Sequence, residues 1–404
     1  MTETISLGER IRWYRRRRGI PQEILAHRVG RKVDWLGKVE NNHIPLDRLS
    51  VIKKLADVLD VTVGDLMAEP KLMDWTPDSG QHTIPILRDI LMDYRQLTPL
   101  LKTASADNPL PTERLQDELD EVMKAYQSSN YSLMIKRLPF LLANTISATS
   151  SYKGKELSSS QSILALSYQA AAAILTKLGE QNLAWIAADR GLVAAQQAGE
   201  ATVIGSLFRS VVHTLQSTGR FSAAIQLTND AASYMQPGLS QASPEYLSVY
   251  GMLFLAGSMA SSRGSDRQTT RIFLSEAAET ARRLGKDDNQ LWTAFGPTNV
   301  AIHRVATASE LGDAQIAVDL GPQINTSQLP VERQARHTLE IARAYSDWNQ
   351  PEKALFLLLS AEKLAPEQVR YHFLSRQLVK RWITNSRTGP NRQLIGLAQR
   401  LRVV

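Results

Sequence analysis

The sequence predicts an all-α protein in two parts: a small N-terminal head of five short helices and a larger C-terminal body of paired helices. Two observations set this expectation. From Thr83 to Val404 apolar residues recur at helical spacing with almost no period-two alternation, in stretches rich in Ala, Leu and Gln such as 169–175 and 192–198. A chain of 404 residues also exceeds what one hydrophobic core usually holds.

The head elements follow in order. Leu7, Ile11 and Tyr14 share a helical face that stops at Gly19. Pro21-Gln22-Glu23-Ile24-Leu25-Ala26 opens a second helix, with proline in the first turn where its missing N–H is harmless. Gly30 supplies a left-handed residue to close it. A third helix, 33–41, buries Leu36 and Val39, and a fourth begins near Leu46 with Leu49, Ile52, Leu55, Ala56 and Leu59 on one face. Thr62-Val63-Gly64-Asp65 reads as a capping box for a fifth. Residues 70–82, with two prolines, two aspartates and a glycine but no helical period, read as a linker.

In the body, a turn residue precedes an alanine by five positions at Gly179/Ala184, Gly219/Ala224, Gly312/Ala317 and Asn349/Ala354. The turns are 40, 93 and 37 residues apart, and Gly264 splits the long interval. Small residues follow seven positions later at Gly191, Ala231 and Ala361. This register resembles the tetratricopeptide repeat (TPR), stretched beyond its usual period of about 34 residues. The resemblance implies helix pairs stacked into a superhelix with a concave surface.

Charge is partitioned as well. Of 47 basic and 40 acidic residues, 13 basic and 6 acidic lie in 1–54, so the whole +7 excess sits in the head. After Glu367 there are eight bases and no acid. A basic module on a mildly acidic body fits a nucleic-acid binder, although an arginine run is also what a solvated face looks like. The acid-free tail reads as a final helix pair covering the end of the body.

The stretch GIPQEILAHRVGRKVDWLGKVENN at 19–42 resembles the Cro/repressor-type helix-turn-helix of the XRE family, over about 65 residues. The fold class implied is a five-helix helix-turn-helix domain followed by a TPR-like superhelix. Ala26 is small where the third helix crosses the second, and an α-helix fits the major groove of double-stranded DNA. The resemblance places Lys32, Val33, Asp34 and Lys38 at base-reading positions. Lys38 is the candidate donor to guanine. Asp34 either accepts from cytosine or caps the helix. Trp35 also faces outward, Gln22 and Asn41 match phosphate-binding positions, and Arg16, Arg17 and Arg18 add charge near the backbone. Arg15 and Glu40 match an internal ion pair that orients the recognition helix. Pro21 stands where the family has Ser or Thr, Asn42 where it prefers glycine, and Gly37 lies inside the recognition helix at a cost of about 1 kcal/mol against alanine.

A head with so large a body resembles XRE–TPR regulators of high-GC Gram-positive bacteria and, more distantly, peptide-sensing regulators of Gram-positive bacteria. That resemblance implies a homodimer and a peptide or small-molecule effector in the repeat groove. In LWTAFGPTNVAIHRVATASELGD, 291–313, Thr298 is placed to cap a helix whose Asn299 could hold a peptide backbone, with Trp292 and His303 framing the same pocket. Trp185, Tyr168, Arg209 and His213 are weaker candidates. For all of these, burial in a helical core is the competing expectation.

The chemistry that is missing narrows the field. There is no cysteine, no phosphate-binding glycine loop, no metal spacing among seven histidines and no serine-nucleophile elbow. The expectation is therefore a cytoplasmic regulator without metal, cofactor or enzymatic activity. The run 249–260 is about eight residues short of a bilayer span, so no membrane contact is expected. The alternatives are a protein-interaction scaffold and an antitoxin-like partner.

Overall fold

The first helix is fixed by a reciprocal cap. In the computed structural model, which describes residues 6–61, 63–67, 83–96, 109–386 and 389–403, Ser6 Oγ accepts the Glu9 N–H at 3.1 Å. Glu9 Oε2 in turn accepts the Ser6 N–H at 2.7 Å. From there the head runs α1 (Leu7–Arg17), α2 (Gln22–Arg28), α3 (Val33–Glu40), α4 (Leu49–Leu59) and α5 (Val63–Met67). Ile11, Leu25, Ala26, Leu36, Ile52, Leu55 and Leu66 fill its core. Gly30 and Asn42 adopt the left-handed conformation at φ 69° and 61°, so asparagine serves where glycine was expected. α4 starts three residues later than predicted, because 45–48 stays non-helical, with Arg48 extended and Leu46 buried without being helical. Thr62 and the linker 70–82 lie outside the described residues.

Helix α6 (Thr83–Leu91) leads into the body, which is built of antiparallel pairs. They are α7 (Thr112–Gln127) with α8 (Tyr131–Ser151), α9 (Gly154–Lys177) with α10 (Gln181–Ala198), and α11 (Ala201–Ser217) with α12 (Phe221–Met235). They continue with α13 (Pro244–Arg263) and α14 (Arg267–Leu284), α15 (Pro297–Leu311) and α16 (Ala314–Leu320), then α17 (Val331–Asp347) and α18 (Pro351–Leu364). The turn of each pair carries a left-handed residue: Ser129, Gly179, Gly219, Ser265, Gly312 and Asn349. Ala184, Ala224, Ala317 and Ala354 are fully buried where the second helix meets the first. The repeat register read from the sequence is therefore a packing requirement. No strand forms among the described residues, and no helix there is long and apolar enough to cross a membrane.

The apolar run 249–260 forms the centre of α13, enclosed on every side. Its Gly251 is required by a close approach, since an added Cβ would lie 1.9 Å from Phe295 Cζ. Gly251→Ala is expected to destabilise by about 1–3 kcal/mol through overpacking. Thermal unfolding checks this, and Phe295→Leu in the same chain should recover part of the loss.

Three short helices, α19 (Pro366–Tyr371), α20 (Phe373–Asn385) and α21 (Arg392–Arg400), cover the last pair through Leu378, Val379, Trp382, Leu394 and Leu397. The acid-free tail finds its counter-charges upstream. Arg400 holds Glu362 through two hydrogen bonds of 2.7 Å, and Arg381 donates to Asp347 at 2.8 Å.

Head and body meet away from α3. Arg48 lies 3.6 Å from Asp347, and Asp47 faces Arg381 at 3.8 Å and Arg343 at 4.0 Å. Phe373 packs on the head core, and Val63 closes over Gly219 so tightly that an added Cβ would lie 2.6 Å from Val63 Cγ2.

Candidate nucleic-acid interface and interior cavity

Helix α3 buries Leu36 and Val39 against the head core and turns the rest of its surface outward. Lys32, Val33, Asp34, Lys38 and Asn41 are exposed, and Trp35 is half-buried beneath the Arg31 guanidinium, 5.4 Å from its ring. Lys38 Nζ sits 2.7 Å from Asp34 Oδ2, one turn away, with both side chains in water. An exposed pair of this kind is worth roughly 0–1 kcal/mol, so DNA can take Lys38 from it at little cost.

Behind that surface, Arg15 grips Glu40 through Nε at 2.5 Å and Nη2 at 2.8 Å. Glu40 is almost fully buried, and the bidentate geometry fixes the angle of α3. Burial opposes the Arg15 charge, but the Glu40 hydrogen bond dominates and raises its pKa. Gln22, the candidate for a phosphate contact, also reaches the buried pair. Its amide donates to Glu40 Oε2 at 3.0 Å, and its side chain lies beside Gly37. Asn41 is occupied too: it accepts from Arg12 at 3.0 Å and donates to the Gly37 carbonyl at 2.9 Å. Arg16, Arg17 and Arg18 are exposed. Arg17 stacks over Trp13 at 5.0 Å, and Arg18 reaches the Asp60 carboxylate at 2.9 Å.

The first helices of the pairs, α7 to α17, line a cavity of about 260 Å³ inside the superhelix. Four of the seven effector candidates meet there: Arg209, His213, Trp292 and His303. The other three do not. Tyr168 is buried between α9 and α10, and Trp185 is exposed on α10 under the Arg220 guanidinium. Asn299 is fully buried and its amide donates to the Ala294 carbonyl at 2.8 Å, which removes it from the cavity wall.

That hydrogen bond has a structural purpose. Leu291, Trp292 and Ala294 all have positive φ (45°, 53° and 49°), a costly run for side-chain-bearing residues. Asn299 braces it, while Asn289 Oδ1 accepts the Ala294 N–H at 3.0 Å and the Gln127 amide at the end of α7 at 2.9 Å. Thr298 is not the cap of α15: its N–H and hydroxyl both donate to Asp287, at 2.9 and 2.6 Å. The loop thus holds the Trp292 ring at the cavity.

Sequence reasoning missed most of the cavity's charge. Lys177, Arg263, Glu332, Arg333, Arg336 and Glu340 line it. Burial would raise the Glu332 carboxyl, but Lys177 at 2.6 Å and Arg333 outweigh it and hold the pKa at about 2. Burial likewise drives His303 down to about 3 and His213 well below 6.5, with Arg333 and Arg209 adding to the effect. Both rings are neutral at pH 7. His303 Nδ1 meets the Asn299 carbonyl at 2.8 Å and so carries the hydrogen, leaving Nε2 as an acceptor. The 332–340 spacing on α17 was the available signal: charged residues three and four apart read as a solvated face, and here they line an interior one.

A second cavity, between head and body, shares Thr176, Lys177, Arg263, Arg336 and Glu340 with the first. No group of His, Asp or Glu suited to a metal ion occurs among the described residues.

Comparison with known proteins bears mainly on the head. The family described as a helix-turn-helix domain matches residues 6–69. No curated protein matches the chain. Among solved structures, PlcR of Bacillus thuringiensis in complex with the peptide PapR7 and DNA aligns at 13% identity and a TM-score of 0.37. The alignment covers 89% of this chain and 99% of that one, an overlap too loose to transfer either ligand. The capped α1, the α2–α3 turn at Gly30, the Arg15–Glu40 pair and the family match agree: residues 6–69 form a helix-turn-helix domain of the XRE type.

Proposed function

We propose that the chain is a sequence-specific transcription regulator acting in the cytoplasm. Its head (1–69) reads double-stranded DNA, 70–82 is a linker, and a TPR-like body (83–404) dimerises and senses a peptide or small-molecule effector. A homodimer would read two half-sites about 34 Å apart, or a multiple of that. The observation that carries this reading is the outward face of α3. Lys32, Val33, Asp34 and Lys38 stay exposed while the head docks through Asp47, Arg48 and Val63, so docking and DNA reading use different residues. Support for an effector comes from the two cavities: they share Lys177, Arg263, Arg336 and Glu340, so a ligand in the interior meets residues that also line the cavity between head and body.

Fluorescence anisotropy on the DNA upstream of the protein's own gene tests the reader. Lys38→Ala should weaken specific binding by about 1–3 kcal/mol. Wild type should lose affinity with salt at a log–log slope of about −0.9 per phosphate neutralised. Asp34 does not cap α3, whose N-terminus has no side-chain cap hydrogen bond, so Asp34→Ala separates base reading from its pair with Lys38. Loss of preference at one base pair marks a reader, whereas unchanged preference marks a residue that only pairs with Lys38. No binding at low salt, random DNA included, replaces the regulator with a protein-interaction scaffold.

A further inference from the structure

Five cations line the interior cavity, and four of them have partners. Lys177 and Arg333 share Glu332 at 2.6 and 3.2 Å, and Arg336 lies 2.6 Å from Glu340. Arg263 reaches Glu310 at 3.2 Å and Gln216 Oε1 at 3.0 Å. Arg209 is the exception. Its Nε is buried without a hydrogen-bond acceptor, and among the described residues its guanidinium has no ion-pair partner. Burial and the Arg333 cation together pull its pKa to about 10, against a smaller upward pull from Tyr126 and Glu332. It is still protonated at pH 7, and the neutral histidines beside it offer no counter-charge.

A cation left in this state is expensive, because removing an ion from water is repaid only by a well-placed opposite charge. Packing does not explain its retention, since the side chain borders open space. The same cavity also has an apolar part of its wall, made by Met123, Tyr126, Trp292 and Ile302. The cavity volume, about 260 Å³, falls just below the roughly 300 Å³ at which drug-sized pockets begin.

We propose that this cavity binds a small amphipathic carboxylate, its anionic group paired with Arg209 and its apolar part against Tyr126, Trp292 and Ile302. The assignment rests on the effector reading above and names the chemistry of that effector. A free organic acid and the C-terminal carboxylate of a short peptide share that chemistry, and a binding experiment separates them.

The test measures thermal unfolding of the full chain with and without 3-phenylpropionate and N-acetyl-leucyl-phenylalanine, each paired with its neutral primary amide. Three variants are compared: wild type, Arg209→Met and Arg209→Lys. Without ligand, Arg209→Met should unfold a few degrees higher than wild type, because it removes a buried charge that has no ion-pair partner; a lower midpoint means Arg209 is structural and overturns the proposal. At least one of the two acids should raise the wild-type midpoint at millimolar concentration, with an apparent affinity at least about tenfold above its amide. Preference for the dipeptide identifies a peptide terminus, and preference for phenylpropionate a free acid. Arg209→Met should lose the acid–amide difference and Arg209→Lys keep part of it. Equal response to acid and amide, or no response to either acid, overturns the assignment. DNA binding is read separately by anisotropy. A chain that binds an acid but no DNA loses the regulator reading and keeps this site, and the converse result does the opposite.

Discussion

Arg343→Ala is expected to lower the stability of the full chain by roughly 3–5 kcal/mol, among the largest effects a single side chain can have here. The guanidinium is 2% exposed and stands between three carboxylates: Glu310 at 3.4 Å, Glu340 at 3.7 Å and Asp47 of the head at 4.0 Å. Burial would weaken its charge, but Glu310 and Asp47 more than offset that and raise its pKa. Glu310 depends on the same arrangement: burial pushes its carboxyl up, and Arg343 and Arg263 bring it down to about 2. Taking the cation away leaves buried anions facing each other, a cost well beyond the loss of one contact.

The effect has a spatial signature. Asp47 is the only one of the three carboxylates that belongs to the head, and burial already raises its pKa despite Arg343. A double-mutant cycle of Arg343→Leu with Asp47→Ala, followed by urea unfolding, should show a coupling of about 0.5–3 kcal/mol. Hydrogen exchange should speed up in 44–49 and α20 before the rest of the body. Additive effects at the two positions would mean that the 4.0 Å pair contributes nothing to docking. If docking does depend on it, a ligand that draws Arg263 or Arg336 away from Glu310 and Glu340 would change the field around Arg343. The effector cavity would then bear on the head through charge redistribution, without a large backbone movement.

Much of the architecture was legible because it follows from local rules. Gly179, Gly219, Gly312 and Asn349 stand out in the sequence for the reason the structure uses them: each sits at positive φ between two antiparallel helices. The alanines five residues on are small because a neighbouring helix lies against them. The Arg15–Glu40 pair and the exposed face of α3 were likewise readable from the helix-turn-helix pattern. What stayed hidden depends on accumulated geometry. Whether α17 faces water or a cavity is decided by the summed rotations of the preceding pairs, which no window of sequence contains. Asp47 and Arg343 are 296 positions apart, and nothing near either one indicates the other. Asn299 shows the opposite failure: the amide nitrogen of a conspicuous carboxamide in a suggestive motif is spent bracing the strained loop beside it.

Acid should destabilise the chain between pH 6.5 and 4.5, a range where most proteins change little, and histidines should be the cause. Burial, reinforced by neighbouring arginines, pushes His213 and His372 well below 6.5 and His303 to about 3. The sign follows from linkage. Each group binds a proton more readily in the unfolded chain than in the folded one, so its contribution is complete above pH 6.5. It is lost as pH falls toward the folded value. The slope is up to about 1.4 kcal/mol per pH unit for each histidine, hence roughly 4 kcal/mol per unit for three acting together near pH 5. Glu310 and Glu332, both held near 2, add to acid sensitivity only below their unfolded value of 4.5, which leaves the upper window to the histidines. Geometry supports the charge argument at His372, whose Nδ1 accepts the Leu374 N–H at the start of α20 while Arg336 abuts the other side of the ring. A proton there would remove the cap and add a second cation against the first. Urea unfolding at half-unit pH steps gives the slope directly. His303→Gln, which keeps a donor for the Asn299 carbonyl, should reduce it by about a third. A stability curve that is flat from pH 6.5 to 4.5 would show that water reaches these rings and that the interior is less closed than the ion pairs around it imply.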